Sequence, residues 1–163
     1  MKNNKTLFLT EAAMIAAIYT VLVIMFQPIS FGPIQFRIAE ILTVLPYFTP
    51  AAIPGVSIGC FLSAIITTAD VLDMIFGSLA TLIAAVLSYK LRRYKYLVPV
   101  PPIVINALVI PWVLKFAYLE DKSIPFMMLT VGAGQLIVVG LIGMPVLLIL
   151  EKLNLPIFNR YGK

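Results

Sequence analysis

Two pairs of charged residues stand three apart beside long apolar stretches: Arg37 with Glu40, inside "QFRIAEILTVLPYFTP", and Asp70 with Asp73. Residues three apart on a helix share a face, so Arg37 and Glu40 can form an interfacial ion pair, or Arg37 can steady a carboxylate that orients a ligand. A carboxylate accepts hydrogen bonds from adjacent N–H donors, and a second carboxylate attracts an amine. Asp70 and Asp73 suit either favourable charge near a helix N-terminus or a cation or amine site. Two amides, Asn106 in "PPIVINALVI" and Gln135 in "VGAGQLIVVG", lie well inside apolar runs. There they bond between helices or read the edge of a polar heterocycle. Trp112, Phe76, Phe36, Tyr47 and Tyr118 offer stacking surfaces, although packing and interfacial belts use the same residue types.

The elements that must hold these groups follow from composition. The chain has 163 residues, 61% hydrophobic and 12% charged, with mean hydropathy +1.04, against roughly 25% charged residues in a soluble domain. An all-α membrane protein follows, a single integral-membrane domain over residues 1–163, because apolar windows long enough to span a bilayer recur along it. The N-terminal apolar stretch is as long as a span and more spans follow, so it reads as an uncleaved first transmembrane helix rather than a signal peptide.

The window between Glu40 and Asp70 carries Pro46, Pro50 and Pro54 and is either one kinked span or a tight pair. Basic residues accumulate in cytoplasmic loops, which decides between the two. Two crossings place Lys2, Lys5, Lys90, Arg92, Arg93, Lys95, Lys152, Arg160 and Lys163, nine of the twelve basic residues, on one side. This predicts six transmembrane helices over residues 7–26, 36–48, 52–67, 71–90, 97–118 and 125–150, with both termini cytoplasmic. The second is only roughly 18 Å long at 1.5 Å per residue, so it must tilt, extend irregularly or border a cavity. The same topology gathers Gln27, Gln35, Arg37, Glu40, Asp70, Asp73, Lys115, Glu120, Asp121 and Lys122 into an external mouth.

Other classes are disfavoured. One cysteine, Cys60, permits no disulfide within the chain, and the lack of histidine removes most zinc and haem chemistry, so no metal and no cofactor are expected. An intramembrane enzyme holding Mg²⁺ on Asp70 and Asp73 would need further acidic or phosphate-binding motifs. Neither a P-loop nor a G-x-S-x-G element occurs, so the chain is expected not to be an enzyme, and energised transport would need partners. Ala12 with Ala16 and Ala13 with Ala17 form two small-residue rows on the first helix, suited to close packing within the bundle or to docking a partner subunit.

Four ordered segments, "QFRIAEILTVLPYFTPAAIPG", "DMIFGSLATLIAA", "PPIVINALVI" and "VGAGQLIVVGLIGMPVL", resemble the QueT family of queuosine-precursor transporters, which are substrate-binding S components of energy-coupling factor (ECF) transporters. The resemblance implies the six-helix S-component fold in the cell membrane. Its implied partners are a transmembrane coupling subunit, two ATPase subunits and the lipid bilayer, with no nucleic acid. Ala12, Ala13, Ala16 and Ala17 match the small-residue patch through which S components meet the coupling subunit.

The implied ligand is a prequeuosine deazaguanine base, in its aminomethyl or cyano form. Glu40 would then accept from the guanine-like donor edge, Arg37 would position it or meet the ring carbonyl, and Asp70 or Asp73 would meet an amine. The family's "VGxGE" motif is expected to end in an acid where this chain has Gln135, which leaves another vitamin-like or purine-like substrate as an alternative. An autonomous small secondary transporter is a second alternative, against which the lack of an evident internal repeat argues.

Overall fold

A computed structural model describes residues 2–30, 36–68 and 70–153, with side chains from residue 5 onward and, in the first stretch, up to residue 28. Gln35, Arg160, Lys163 and the Lys2 side chain, all used in the topology argument, lie outside the described residues. Helix α1 runs Lys2–Met25, followed by a 3-10 helix, Ile38–Tyr47. Then come α2, Ala52–Thr67, α3, Asp73–Lys90, α4, Val100–Ala117, and α5, Ile124–Leu153. Among the described residues no strand occurs, and six longer helices stand near the six expected spans, with a short helix Gln27–Ser30 and a 3-10 turn Lys95–Leu97 between them. Four stretches, Lys5–Met25, Asp73–Lys90, Lys95–Ala117 and Ile124–Leu153, are long and apolar enough to cross a membrane, whereas the 3-10 helix and α2 are shorter.

The short second segment resolves its length problem by changing helix type. A 3-10 helix rises about 2.0 Å per residue, so these ten residues reach about 20 Å instead of about 15 Å. Pro46 supplies no N–H near its C-terminal end, which lowers the cost of leaving the α-helical ladder there. The segment touches α1, α2, α3 and both halves of α5. Ala39 joins a core with Ile15, Tyr19, Val56 and Ala85, while Val44 joins a second core with Val98, Val139 and Leu147. An element enclosed in this way keeps its imperfectly bonded backbone away from lipid.

Two further departures from α-geometry are π-helical: Asp73–Gly77 opens α3, and Leu136–Gly143 interrupts α5 directly after Gln135. Hydrophobic periodicity gives no sign of either, because a π-turn adds one residue without changing the apolar character of the run.

The burial pattern is inverted relative to a soluble protein. Met14, Ile18, Val21, Phe61, Leu62, Leu129 and Leu141 face outward, while Glu40, Thr43, Ser63, Thr81, Ser88 and Asn106 are fully buried. A hydrocarbon exterior explains the former, and the low cost of hydroxyls that bond to their own helix explains several of the latter, such as Thr81 Oγ1 donating to the Gly77 carbonyl at 2.9 Å.

Contacts at the two ends agree with the charge count. Tyr47 donates to Glu151 at 2.7 Å, Lys95 pairs with Glu151 at 3.1 Å, and Thr49 donates to Glu11 at 3.0 Å. The end of the 3-10 helix, the start of α1, the basic α3–α4 loop and the end of α5 therefore lie together. At the opposite end, Gln27, Pro28, Thr67, Thr68 and Tyr118 line an opening of about 500 Å³.

The α4 end is a strained turn. Leu119 has φ 53°, and the Glu120 N–H reaches back to the Leu114 carbonyl at 3.3 Å, a C-terminal motif that usually places glycine at the left-handed position. Leu119 is also the most exposed apolar side chain of the turn, at 80%, so its removal forfeits little burial. Leu119→Gly is expected to raise the unfolding free energy by about 1 kcal/mol, measured by thermal or denaturant unfolding in detergent; equal or lower stability would show that the turn carries no strain.

A buried polar cluster as the candidate binding site

Every long element sends at least one polar side chain to the interior, and several of these meet. From the 3-10 helix, Glu40 is fully buried and Arg37, at its N-terminal boundary, is 4% exposed. The Tyr19 hydroxyl, from α1, donates to Glu40 Oε1 at 2.8 Å. Arg37 Nη2 lies 4.0 Å from Cys60 Sγ of α2. Asn106 of α4 sits beside the Glu40 carboxylate but without a hydrogen bond of full geometry.

Of the two arrangements open to Arg37 and Glu40, the direct ion pair does not form: among the described residues, the ion pairs within 4.0 Å are Lys95–Glu151 and Lys122–Glu120. The reason is local. Arg37 has φ −78° and ψ 84°, outside helical geometry, so the three-residue spacing does not bring the two side chains together.

Asp70 and Asp73, alike in sequence, divide the two roles considered for them. Asp70 Oδ1 accepts from the backbone N–H groups of Leu72 at 2.8 Å and Asp73 at 3.1 Å, capping the start of α3. Asp73, in the π-turn, is 4% exposed and accepts from the Tyr118 hydroxyl at 3.1 Å. Gly77 makes room for it: a Cβ there would stand 2.9 Å from Asp73 Oδ1 and 4.0 Å from Cys60 Sγ. Cys60 thus lies between Arg37 and the Asp73 turn. Burial, followed by the neighbouring Asp73 carboxylate, pushes the Tyr118 phenol above its ordinary range, so Tyr118 remains a donor at neutral pH.

Gln135 is 1% exposed and Asn106 fully buried. Ala107 packs beside Gly132, and Ile103 beside Gly140. These two contacts bracket Asn106 and Gln135 and set both amides at one level of the α4–α5 pair.

Among the described residues, five buried side-chain atoms have no hydrogen-bond partner: Arg37 Nε, Glu40 Oε2, Asn106 Nδ2 and Oδ1, and Gln135 Oε1. Orphaned buried polar groups cost about 1–3 kcal/mol each. A set combining donors and acceptors in one bundle is the pattern expected of a site that a polar, flat ligand completes.

The remaining candidates lie elsewhere. Phe76 and Trp112 are about half exposed and line a lateral apolar groove of about 490 Å³ with Leu72, Leu108, Val109, Val113 and Phe116. Trp112 stacks on Phe116 there, with centroids 6.3 Å apart. Tyr47 lies edge-on to Phe48, at the Glu151 end. Of the alanine rows, Ala12 and Ala16 are buried against α2, whereas Ala13 and Ala17 are exposed.

Sequence reasoning missed Tyr19 and gave Cys60 no place in the site. The available signal was spacing: Tyr19 lies three residues after Ala16, on the small-residue face of α1, where an aromatic must point inward.

A family model described as "QueT transporter" matches residues 9–152. The chain is similar to a protein of Lactococcus lactis subsp. cremoris described as "Queuosine precursor transporter QueT", with 39% identity over 85 residues, covering 51% of this chain and 50% of that relative. The similarity thus spans about half the length of that curated relative. No solved structure matches.

Proposed function

The chain belongs to the QueT transporter family, and from that premise we propose that it is the substrate-binding S component of an ECF-type importer. It forms one domain in the cell membrane with both termini cytoplasmic. It captures a prequeuosine deazaguanine base from outside and delivers it through a coupling subunit driven by two ATPases. The observation that carries this reading is the underpartnered interior of Arg37, Glu40, Asn106 and Gln135 inside a bundle with an apolar exterior.

The chemistry of such a base fits those atoms. Adjacent N–H donors of a guanine-like edge pair with Glu40, whose Oε2 is open. Arg37 Nε donates to a ring carbonyl, and the two amides complete the heterocycle's remaining edge by donating and accepting. Asp73 is the carboxylate for a substituent, with Asp70 fixing the helix start beneath it. Calorimetric titration of the purified protein with deazaguanines, guanine and unrelated vitamins tests the substrate: binding confined to the deazaguanines is expected, and no binding to any of them would refute it.

Partner docking is assigned to the exposed row of α1. Ala13→Leu and Ala17→Leu are expected to abolish co-purification with the coupling subunit and ATPases while changing ligand affinity by less than about 2-fold, since neither side chain points inward. An intact complex in both variants would remove the docking face from α1. Ala16→Leu is a poorer probe, because Ala16 packs against α2.

A further inference from the structure

We propose that the basic turn between α3 and α4 binds the phosphate headgroup of an anionic phospholipid, held by Arg92 and Arg93 with Lys90 and Tyr94 beside them.

The turn ends a face that hydrocarbon has to cover. On α3, Leu79, Ile83 and Leu87 recur every four residues and are exposed, and so do Val100, Val104 and Leu108 on α4. Residues four apart lie on one side of a helix, and the two helices pack against each other. Away from the turn, the same pair of helices forms the lateral groove of Phe76, Leu108 and Trp112, so the apolar face is open along its height. Lys90 follows Leu87 by three residues and is exposed. Charge thus replaces hydrocarbon contact within one helical turn, as at a headgroup boundary.

The charge of the turn is largely uncompensated. No acid occurs between Asp73 and Glu120. Glu151, brought to the turn from the end of α5, is paired with Lys95 at 3.1 Å and accepts from Tyr47. Among the described residues, Lys90, Arg92 and Arg93 form no ion pair. The Arg92 guanidinium lies over the Tyr89 ring, 4.5 Å from its centroid, which occupies its face and leaves its N–H edge for a phosphate. Arg93 is exposed, and two neighbouring guanidinium groups can each make a bidentate pair with phosphate oxygens.

The rest of the turn suits that depth. Tyr94 and Tyr96 are 66% and 69% exposed, and amphipathic rings of this kind settle between acyl chains and water. The backbone is fixed: the Tyr94 N–H donates to the Leu91 carbonyl and the Leu97 N–H to the Tyr94 carbonyl, both at 2.8 Å. Ser88 Oγ donates across the turn to the Val98 carbonyl at 2.8 Å. Little ordering is then left for the lipid to impose. A lipid also fits the geometry better than a subunit. Helix α1, to which docking is assigned, packs on α2 and the 3-10 helix, so the α3–α4 face keeps its lipid while a partner occupies α1. The contact stands whatever base the interior cluster takes.

Native mass spectrometry of the detergent-purified full chain, titrated with phosphatidylglycerol or with phosphatidylcholine of the same acyl chains, tests the site. Phosphatidylglycerol is expected to bind at least about 30-fold tighter, the combined pull of several basic residues at a headgroup. Arg92→Gln with Arg93→Gln should bring the preference within about 5-fold. Lys115→Gln with Lys122→Gln, the same charge change at the opposite end, should leave it unchanged. Equal wild-type affinities for the two lipids would overturn the proposal, and that comparison decides even where a variant does not fold. So would equal losses in the two double variants, which would reduce the effect to net charge. Displacement of the lipid by glycerol 3-phosphate at equal concentration would assign a soluble phosphate ligand instead. Loss of the coupling subunit from the arginine variant, with lipid preference intact, would make the turn a protein contact and overturn it too.

Discussion

Glu40→Gln is expected to weaken deazaguanine binding about 100-fold while leaving the bundle folded, because a charge-assisted pair to two N–H donors is worth about 1.5–3 kcal/mol. The amide removes the charge and turns one acceptor into a donor facing the ligand's donors. Folding should not suffer: the carboxylate is fully buried, makes no ion pair with Arg37 and leaves Oε2 unpartnered. A neutral isostere there relieves desolvation and can still accept from Tyr19. The expected signature is therefore opposed changes, with affinity falling and unfolding temperature steady or rising. Unchanged affinity would reduce Glu40 to a packing role. Tyr19→Phe serves as a milder companion. It frees Oε1 from the 2.8 Å bond without altering charge and should cost about 3- to 10-fold in affinity, in keeping with one neutral donor.

The second large effect is on the scaffold. Gly59→Ala is expected to destabilise the protein by about 2–3 kcal/mol, the scale of overpacking against backbone. A Cβ at Gly59 would stand 2.7 Å from Tyr19 Cβ and 2.9 Å from the Ala16 carbonyl oxygen, so α1 must move away from α2. Thr20 bridges the same contact, donating to the carbonyls of Ala16 at 2.9 Å and Gly59 at 3.2 Å, and would lose the second bond. Because Tyr19 is both the clashing residue and the donor to Glu40, ligand affinity should fall together with stability. Gly132→Ala is the matched control: its Cβ would meet only Ala107 Cβ at 3.5 Å, ordinary contact, and the helix gains propensity. Thermal unfolding of the two variants side by side separates them; equal losses would show that the α1–α2 approach is not specially close.

These effects connect the site to its support. The small row Ala12 and Ala16, set against Gly55 and Gly59, brings α1 within reach of the 3-10 helix, and only at that separation does the Tyr19 hydroxyl meet Glu40. A row that reads equally well as a docking face is in this structure divided, one half internal and one half exposed.

Much of the fold is legible from composition and charge. A chain this apolar has to place its side chains in hydrocarbon, helices are then the way to satisfy its backbone, and the basic clusters fix which ends lie together. The helical segments accordingly stand close to the expected spans, and family membership follows from four ordered motifs. The polar residues Arg37, Glu40, Asp73, Asn106 and Gln135 are likewise conspicuous, since each interrupts a run that would otherwise be uncharged or apolar.

Which of them meet was decided by tertiary structure. Spacing of three allowed Arg37 and Glu40 either to pair directly or to serve a ligand, and Arg37 sits outside the helix with its guanidinium turned to Cys60. Asp70 and Asp73 share a spacing too, and a π-turn buries one while the other caps the helix. Phe76 and Trp112 line a lateral groove instead of the cluster. The physical reason is common to all three. Sequence periodicity presumes one helical geometry, whereas this bundle sets its polar groups at a 3-10 helix and two π-turns, whose hydrogen-bond registers depend on packing between helices and leave no mark in hydropathy.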